Sequence, residues 1–123
     1  MHHFKTWAVY EKSFQLALQV YGLSRSFPQE EKYSLTDQVR RSSRSICANL
    51  AEAYGARRFT KKFAAKITIC LCEYYETQTW LDFALAFEYI DQGQHQDLQS
   101  LSDEVRKLLH YMENNPEHYC RSR

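Results

Sequence analysis

Glycine and proline are scarce, with three and two residues in a chain of 123. Turns lean on these residues, so few turns are expected and the elements between them are long. Long apolar runs are missing too. The longest charge-free stretch lies between Lys12 and Arg25 and holds 12 residues. A bilayer span needs about 20, so no transmembrane helix and no membrane partner are expected. The opening residues lack an apolar signal-peptide core, which places the chain in the cytoplasm as an expectation. The four cysteines, at 47, 70, 72 and 120, form no C-x-x-C pair. On a helix Cys70 and Cys72 would point about 200° apart and could not share a metal. Buried free thiols in a reducing compartment are expected instead.

Reaction signatures are equally absent. There is no G-x-x-x-x-G-K-[ST], no H-E-x-x-H, no G-x-S-x-G, and no Glu-x-x-His pair to build a carboxylate-bridged di-metal bundle. Glu73 and Glu76 are helical neighbours without a histidine partner, and such a pair is more often a solvated or salt-bridged face. Arg106 and His110 are too close in sequence for the Arg/His pair of helical ribonucleases. His110 is better read as a cation near a helix C-terminus. No metal, no cofactor and no enzymatic activity are therefore expected.

What is present is a single domain spanning 1–123, with the 44% apolar and 25% charged content of a soluble globular protein. Its net charge is +1, but the charge is divided unevenly. Residues 1–66 hold 12 Lys/Arg against 5 Asp/Glu, a net of +7, and residues 67–123 hold 4 against 10, a net of −6. Such asymmetry points to an anionic partner or to complementary surfaces on copies of the chain. The basic residues concentrate in "RRSSRSICANLAEAYGARRFTKK" at 40–62, where seven of 23 positions are Arg or Lys and only Glu52 is acidic.

Apolar residues recur every three to four positions, so the fold class is all-α. A first helix over 7–26 carries two stripes, Trp7, Tyr10, Phe14, Ala17 and Tyr21 on one side, Val9, Leu16, Val20, Leu23 and Phe27 on another. A second begins after Ser34, read as an N-cap with Asp37 in a weak capping box, and ends near Tyr54 with Gly55 as its C-cap. Leu35, Val39, Ser43, Ile46, Leu50 and Ala53 share its inner face, which turns Arg40, Arg41 and Arg44 outward. A third runs from Thr60 to Ile90, with Phe63, Ile67, Cys70, Tyr74, Thr77, Leu81 and Ala84 in one row and Trp80, Phe83, Phe87 and Ile90 in another. A fourth, over 94–114, has one seam of Leu98, Leu101, Val105, Leu108 and Met112 and stops before Pro116. Short connections make an up-down-up-down four-helix bundle the simplest solution. Two apolar sides on the first and third helices exceed what a four-helix monomer covers, so a homo-oligomer is expected.

The stretches "FP" at 27–28 with Glu31 after it, "SLTDQVRRSSRSICANLAEAYG" at 34–55 and "ETQTWL" at 76–81 carry a recognisable pattern. The chain resembles the S23 ribosomal protein family, four-helix-bundle proteins encoded within intervening sequences of 23S ribosomal RNA genes. The likeness extends from "WAVYEK" to "EYI" and is most specific in the second helix. It implies an up-down bundle assembled as a homopentamer. One branch, the accessory variability determinant proteins of diversity-generating retroelements, implies binding to DNA or RNA and to a reverse transcriptase. The family's Gln-x-x-Arg falls on Gln38 and Arg41, its Ser-Ile on Ser45 and Ile46, and its Asn-Ile-Ala-Glu-Gly on residues 49–53. Ala53 stands where the family has glycine, and Cys72 and Glu73 replace a Gly-Ser pair.

Gln38, Asn49, Glu52 and Glu76 form a polar motif, for which a structural hydrogen-bond network is favoured over a ligand site, with Glu52 meeting an arginine from another helix or subunit. Lys61 and Lys62 fall in the first turn of the third helix, where cations oppose the macrodipole at about 0.3–1 kcal/mol each. That conflict suggests an anion at this turn. The candidate nucleic-acid-binding set is Arg40, Arg41, Arg44, Arg57, Arg58, Lys61, Lys62 and Lys66. A non-catalytic, oligomeric nucleic-acid-binding accessory protein is the leading reading. The alternatives are an interaction scaffold whose basic patch docks an acidic protein or a neighbouring subunit and, last, a helical ribonuclease.

Overall fold

The structure, a computed structural model, describes residues 3–121. The described residues form four helices, α1 (Ala8–Ser24), α2 (Leu35–Gly55), α3 (Thr60–Ala86) and α4 (Gln92–Asn114), with short 3-10 turns at Phe4–Thr6, Gln29–Glu31 and Pro116–His118. No strand occurs among the described residues. Each helix packs on its sequence neighbours and α1 closes the bundle against α4; α2 and α3 share the most extensive seam. No helix among the described residues is long and apolar enough to cross a membrane.

The inner face expected for α2 is buried at every position, from Leu35 through Ala53. It meets the α3 row Phe63, Ile67, Cys70, Tyr74, Thr77, Leu81 and Ala84, all of them buried. Truncating one of these fully enclosed side chains, such as Ile46 or Phe63, costs about 2–5 kcal/mol through lost transfer and the cavity left behind. In α4 the seam is rotated slightly: Leu98, Val105, Leu109, Met112 and Ser102 are buried, while Leu101 and Leu108 are only half-buried. Of the second stripe, Val9, Leu16 and Val20 are core while Leu23 and Phe27, the latter beyond α1, are half-buried; Phe14 and Tyr21 of the first stripe, with Leu18, stay exposed.

Helix ends depart most from expectation. Ser34 makes no side-chain cap; the carboxylate of Glu31 accepts from the Leu35 N–H instead, at 3.3 Å. Gly55 is the last residue of α2 rather than its cap, and the Ala56 N–H closes the turn onto the carbonyls of Glu52 and Ala53. Helix α3 stops at Ala86, four residues before Ile90. Glu88 takes a left-handed φ of 63°, Tyr89 N–H reaches the Ala84 carbonyl and Glu88 N–H that of Leu85. This is a Schellman ending built on glutamate where glycine usually stands. Helix α4 starts two residues early because Asp91 and Gln94 form a reciprocal capping box.

The thiols are free but not uniformly buried. Cys70 is enclosed, Cys47 and Cys120 are half-buried, and Cys72 is exposed. Burial pushes the Cys47 thiol up to about 11 and that of Cys70 to about 12.

Candidate nucleic-acid interface at the α2–α3 corner

Helix α2 delivers the chain to a tight corner at 56–59, and α3 leaves in the opposite direction. Arg58, Lys61 and Lys62 are exposed there. Among the described residues no carboxylate comes within 4.0 Å of any of them. Phe59 is the α3 N-cap residue, offers no side-chain acceptor, and no acid occupies the first turn. The opening N–H groups of the helix consequently point outward without a capping partner. The Phe59 ring is 48% exposed, with the Lys62 ammonium 4.7 Å and the Arg58 guanidinium 5.8 Å from its centroid. An exposed aromatic face, three cations and open helix N–H groups thus share one short segment.

The other sequence candidates do not join this cluster. Arg57 is 9% exposed and lies on the Tyr54 ring at 3.6 Å, with its Nε donating to the Tyr54 carbonyl oxygen at 2.8 Å. It is a structural residue of the corner. Lys66 donates to Glu52 at 2.8 Å, so the Glu52 carboxylate meets a lysine of the next helix rather than the expected arginine. Asn49 is buried and, among the described residues, its side chain bonds to Ser45, one turn back on its own helix. It builds no bridge between helices.

Arg40, Arg41 and Arg44 do not form the outward row that the helical wheel suggests. Arg40 leans onto α1, with Nε donating to Ser24 Oγ at 2.7 Å and its guanidinium 4.6 Å from the Tyr21 ring centroid. Arg41 leans the other way, donating to Glu73 at 2.8 Å and to Glu76 at 2.5 Å. Long side chains on the flanks of a helix reach sideways over their neighbours, which a wheel of Cα positions does not show. Burial opposes charge on Glu73, but hydrogen bonds from Arg41 and Ser45 outweigh it and hold the carboxyl below the usual carboxylate range. Arg44 is exposed, with Nε on the Arg40 carbonyl oxygen at 3.1 Å. It edges an apolar groove of about 370 Å³ lined by Phe14, Ala17, Leu18, Tyr21 and Cys47.

Gln38 and Glu76 lie near one another around Trp80: Gln38 shares a cleft with the indole, and Glu76 accepts its N–H at 3.1 Å. His110 is not in the last turn of α4 and does not cap it; its ring meets the Tyr75 hydroxyl at 3.3 Å and Glu113 at 3.7 Å. Arg106 is paired with Asp103 at 3.9 Å. No cluster of three or more metal-ligating side chains occurs among the described residues. Phe59 went unnoticed in the sequence, although an aromatic set between Arg58 and Lys61 is the interleaving that single-strand binding uses.

The family model for the 23S rRNA-intervening sequence proteins matches residues 5–111. The chain belongs to that family. A crystal structure at 1.70 Å resolution is similar, that of a protein with unknown function from the S23 ribosomal protein family from Bacteroides thetaiotaomicron VPI-5482. It shares 33% identity over 86% of this chain and 95% of its own, with a TM-score of 0.78. Comparison with the curated proteins gave no match. Membership of the 23S rRNA-intervening sequence proteins accounts for the bundle, and it assigns no reaction to the corner.

Proposed function

We propose that this protein is a non-catalytic accessory factor that grips the phosphate backbone of single-stranded nucleic acid at residues 58–62. The observation that carries this reading is the set of Arg58, Lys61 and Lys62 standing at an uncapped helix N-terminus with no carboxylate partner among the described residues. Each cation there costs about 0.3–1 kcal/mol against the helix dipole, and a bound phosphate reverses the sign by meeting both the cations and the open N–H groups. Phe59 supplies a face on which a base stacks, worth about 1–3 kcal/mol per base with little sequence preference. Arg58, Phe59, Thr60, Lys61 and Lys62 include no histidine and no carboxylate to serve as a general base, so in this reading the corner holds its ligand rather than cleaving it.

In the same reading the protein works as a homo-oligomer, the pentamer that its family resemblance implies. The exposed Phe14, Leu18 and Tyr21 of α1 supply the contact between copies. Sedimentation should give a mass well above the 14.7 kDa monomer, and a monodisperse monomer at micromolar concentration contradicts it.

Fluorescence anisotropy with labelled 20-nucleotide RNA and DNA strands tests the interface. Both strands should bind at low salt, and Phe59→Ala should weaken them about tenfold through the lost stacking while leaving duplex binding unchanged. An absence of binding at low salt would overturn the proposal. So would affinity indifferent to Arg58→Glu with Lys62→Glu, and the basic corner would then belong to an acidic protein partner or a neighbouring copy.

A further inference from the structure

Trp80, Phe83 and Phe87 form a ridge along the end of α3, with successive ring centroids 6.0 and 5.7 Å apart. It continues through Tyr89 to Phe27, at 5.6 and 5.5 Å. Phe83 and Phe87 are 45% and 51% exposed, unusual for two adjacent rings on a bundle surface. Across a cleft of about 230 Å³ they face Glu31, Ser34, Leu35 and Gln38.

Two hydrogen-bonded links fix the walls of this cleft. Trp80 commits its single donor to Glu76, whose same oxygen accepts from Arg41 of α2, so the indole offers the cleft only its π surface. Glu31 accepts from the Leu35 N–H on one oxygen and from the Tyr89 hydroxyl, at 2.8 Å, on the other. Each carboxylate oxygen keeps a lone pair, so the group remains able to receive a cation. On the α3 wall no lysine or arginine occurs between Lys66 and Arg106, an interval with eight acids; of the cations near the other wall, Arg41 is committed to Glu73 and Glu76, and the Lys32 ammonium lies over the Tyr33 ring at 5.3 Å. A volume below the roughly 300 Å³ of small-molecule pockets suits a single side chain. The groove beside Arg44 has similar apolar walls but no carboxylate and a cation at its rim.

We infer that this cleft receives an arginine side chain from a basic segment of a protein partner. Aromatic faces attract the guanidinium electrostatically and Glu31 pairs with it, an arrangement that favours arginine's flat, weakly hydrated head over lysine's compact ammonium. The site lies at the opposite end of α2 from residues 58–62 and is independent of nucleic-acid binding there.

The test uses the full chain labelled with ¹⁵N and an acetylated Gly-Arg-Gly-Arg-Gly-Arg-Gly amide, with lysine and glutamine versions as controls. The Trp80 indole N–H signal should shift on titration while that of Trp7 stays in place, with the lysine peptide weaker and the glutamine peptide inert. Phe83→Ala with Phe87→Ala should weaken the arginine peptide about tenfold, the range of a desolvated cation–π contact, and Glu31→Gln should weaken it similarly. Glu117→Gln on the far side should change nothing, and nucleic-acid affinity should be unaltered in all variants. Should the aromatic pair be needed for folding, Glu31→Gln decides alone. A Trp80 signal that does not move, or peptide affinity equal in wild type and Glu31→Gln, overturns the inference. It is also overturned if Phe83→Ala with Phe87→Ala breaks an assembly into monomers while neither form binds peptide, because the cleft is then a contact between copies.

Discussion

At one end of the α2–α3 pair, residues 57–66 carry five Lys/Arg and no acid. At the other, about 30 Å away along the 21 residues of α2, Glu31 faces Trp80, Phe83 and Phe87. Between the ends charges are paired: Arg41 with Glu73 and Glu76, Lys66 with Glu52. The same two helices therefore treat charge in two ways. In the middle, opposite signs meet across the seam and serve the bundle. At the ends, Arg58, Lys61 and Lys62 gather with no carboxylate within 4.0 Å among the described residues, and Glu31 stands at the rim of an apolar cleft; each leaves a field that an external ligand can satisfy.

The largest expected effect separates the ends. Arg58→Glu with Lys62→Glu should lower affinity for single-stranded RNA about a hundredfold, since each reversal replaces a phosphate contact by repulsion. Phe83→Ala with Phe87→Ala should leave the same anisotropy titration within about twofold, as rings far from the phosphates carry none of that electrostatic term. If the aromatic variant also loses RNA, the two ends are one surface and the comparison fails. Arg40 is a poor choice for reversal, because its contacts with Ser24 and Tyr21 belong to the α1–α2 packing.

A smaller effect probes the paired middle. Arg41→Ala should cost about 1–2 kcal/mol, near the top of the range for ion pairs at a surface, because Glu73 is largely covered and both carboxylates lose a donor. That amounts to roughly 4–8 °C in the thermal midpoint. The folded-state Glu73 carboxyl is held low, so its contribution is complete above the unfolded value of about 4.3 and fades as pH falls through the lower folded value. Melting curves from pH 6 downward should therefore converge for wild type and Arg41→Ala. A constant difference at all pH values would remove the carboxylates from the account.

The smallest effect has the opposite sign. Lys61→Glu should stabilise the protein by about 0.3–1 kcal/mol by placing an acid at the α3 N-terminus. A destabilised Lys61→Glu would mean that the corner cations already have structural partners.

Helical periodicity made much of this legible in the sequence. The α2 inner face and its α3 counterpart follow from spacing alone, and the uncompensated cations of 58–62 stand out because the dipole rule makes them anomalous. Two kinds of feature were hidden. The end of α3 was overrun because Glu88, not glycine, takes the left-handed position, and nothing local in the sequence marks that choice. The early start of α4 was visible in principle, since Asp91 and Gln94 have capping-box spacing. The destinations of Arg40 and Arg41 depend on Ser24, Glu73 and Glu76, at least 16 residues away along the chain, so they emerge only once helices are side by side. The cleft at Glu31 and Trp80 has the same origin: its two walls are assembled by packing.

The salt dependence of single-strand binding tests the central claim most directly. With three cations contacting phosphates, the logarithm of the association constant should fall linearly with the logarithm of salt concentration, at a slope of about −2 for a single strand. In Arg58→Glu with Lys62→Glu the slope should collapse toward zero along with the affinity. A wild-type affinity insensitive to salt, or a slope that the double reversal leaves intact, would contradict phosphate binding at the α2–α3 corner.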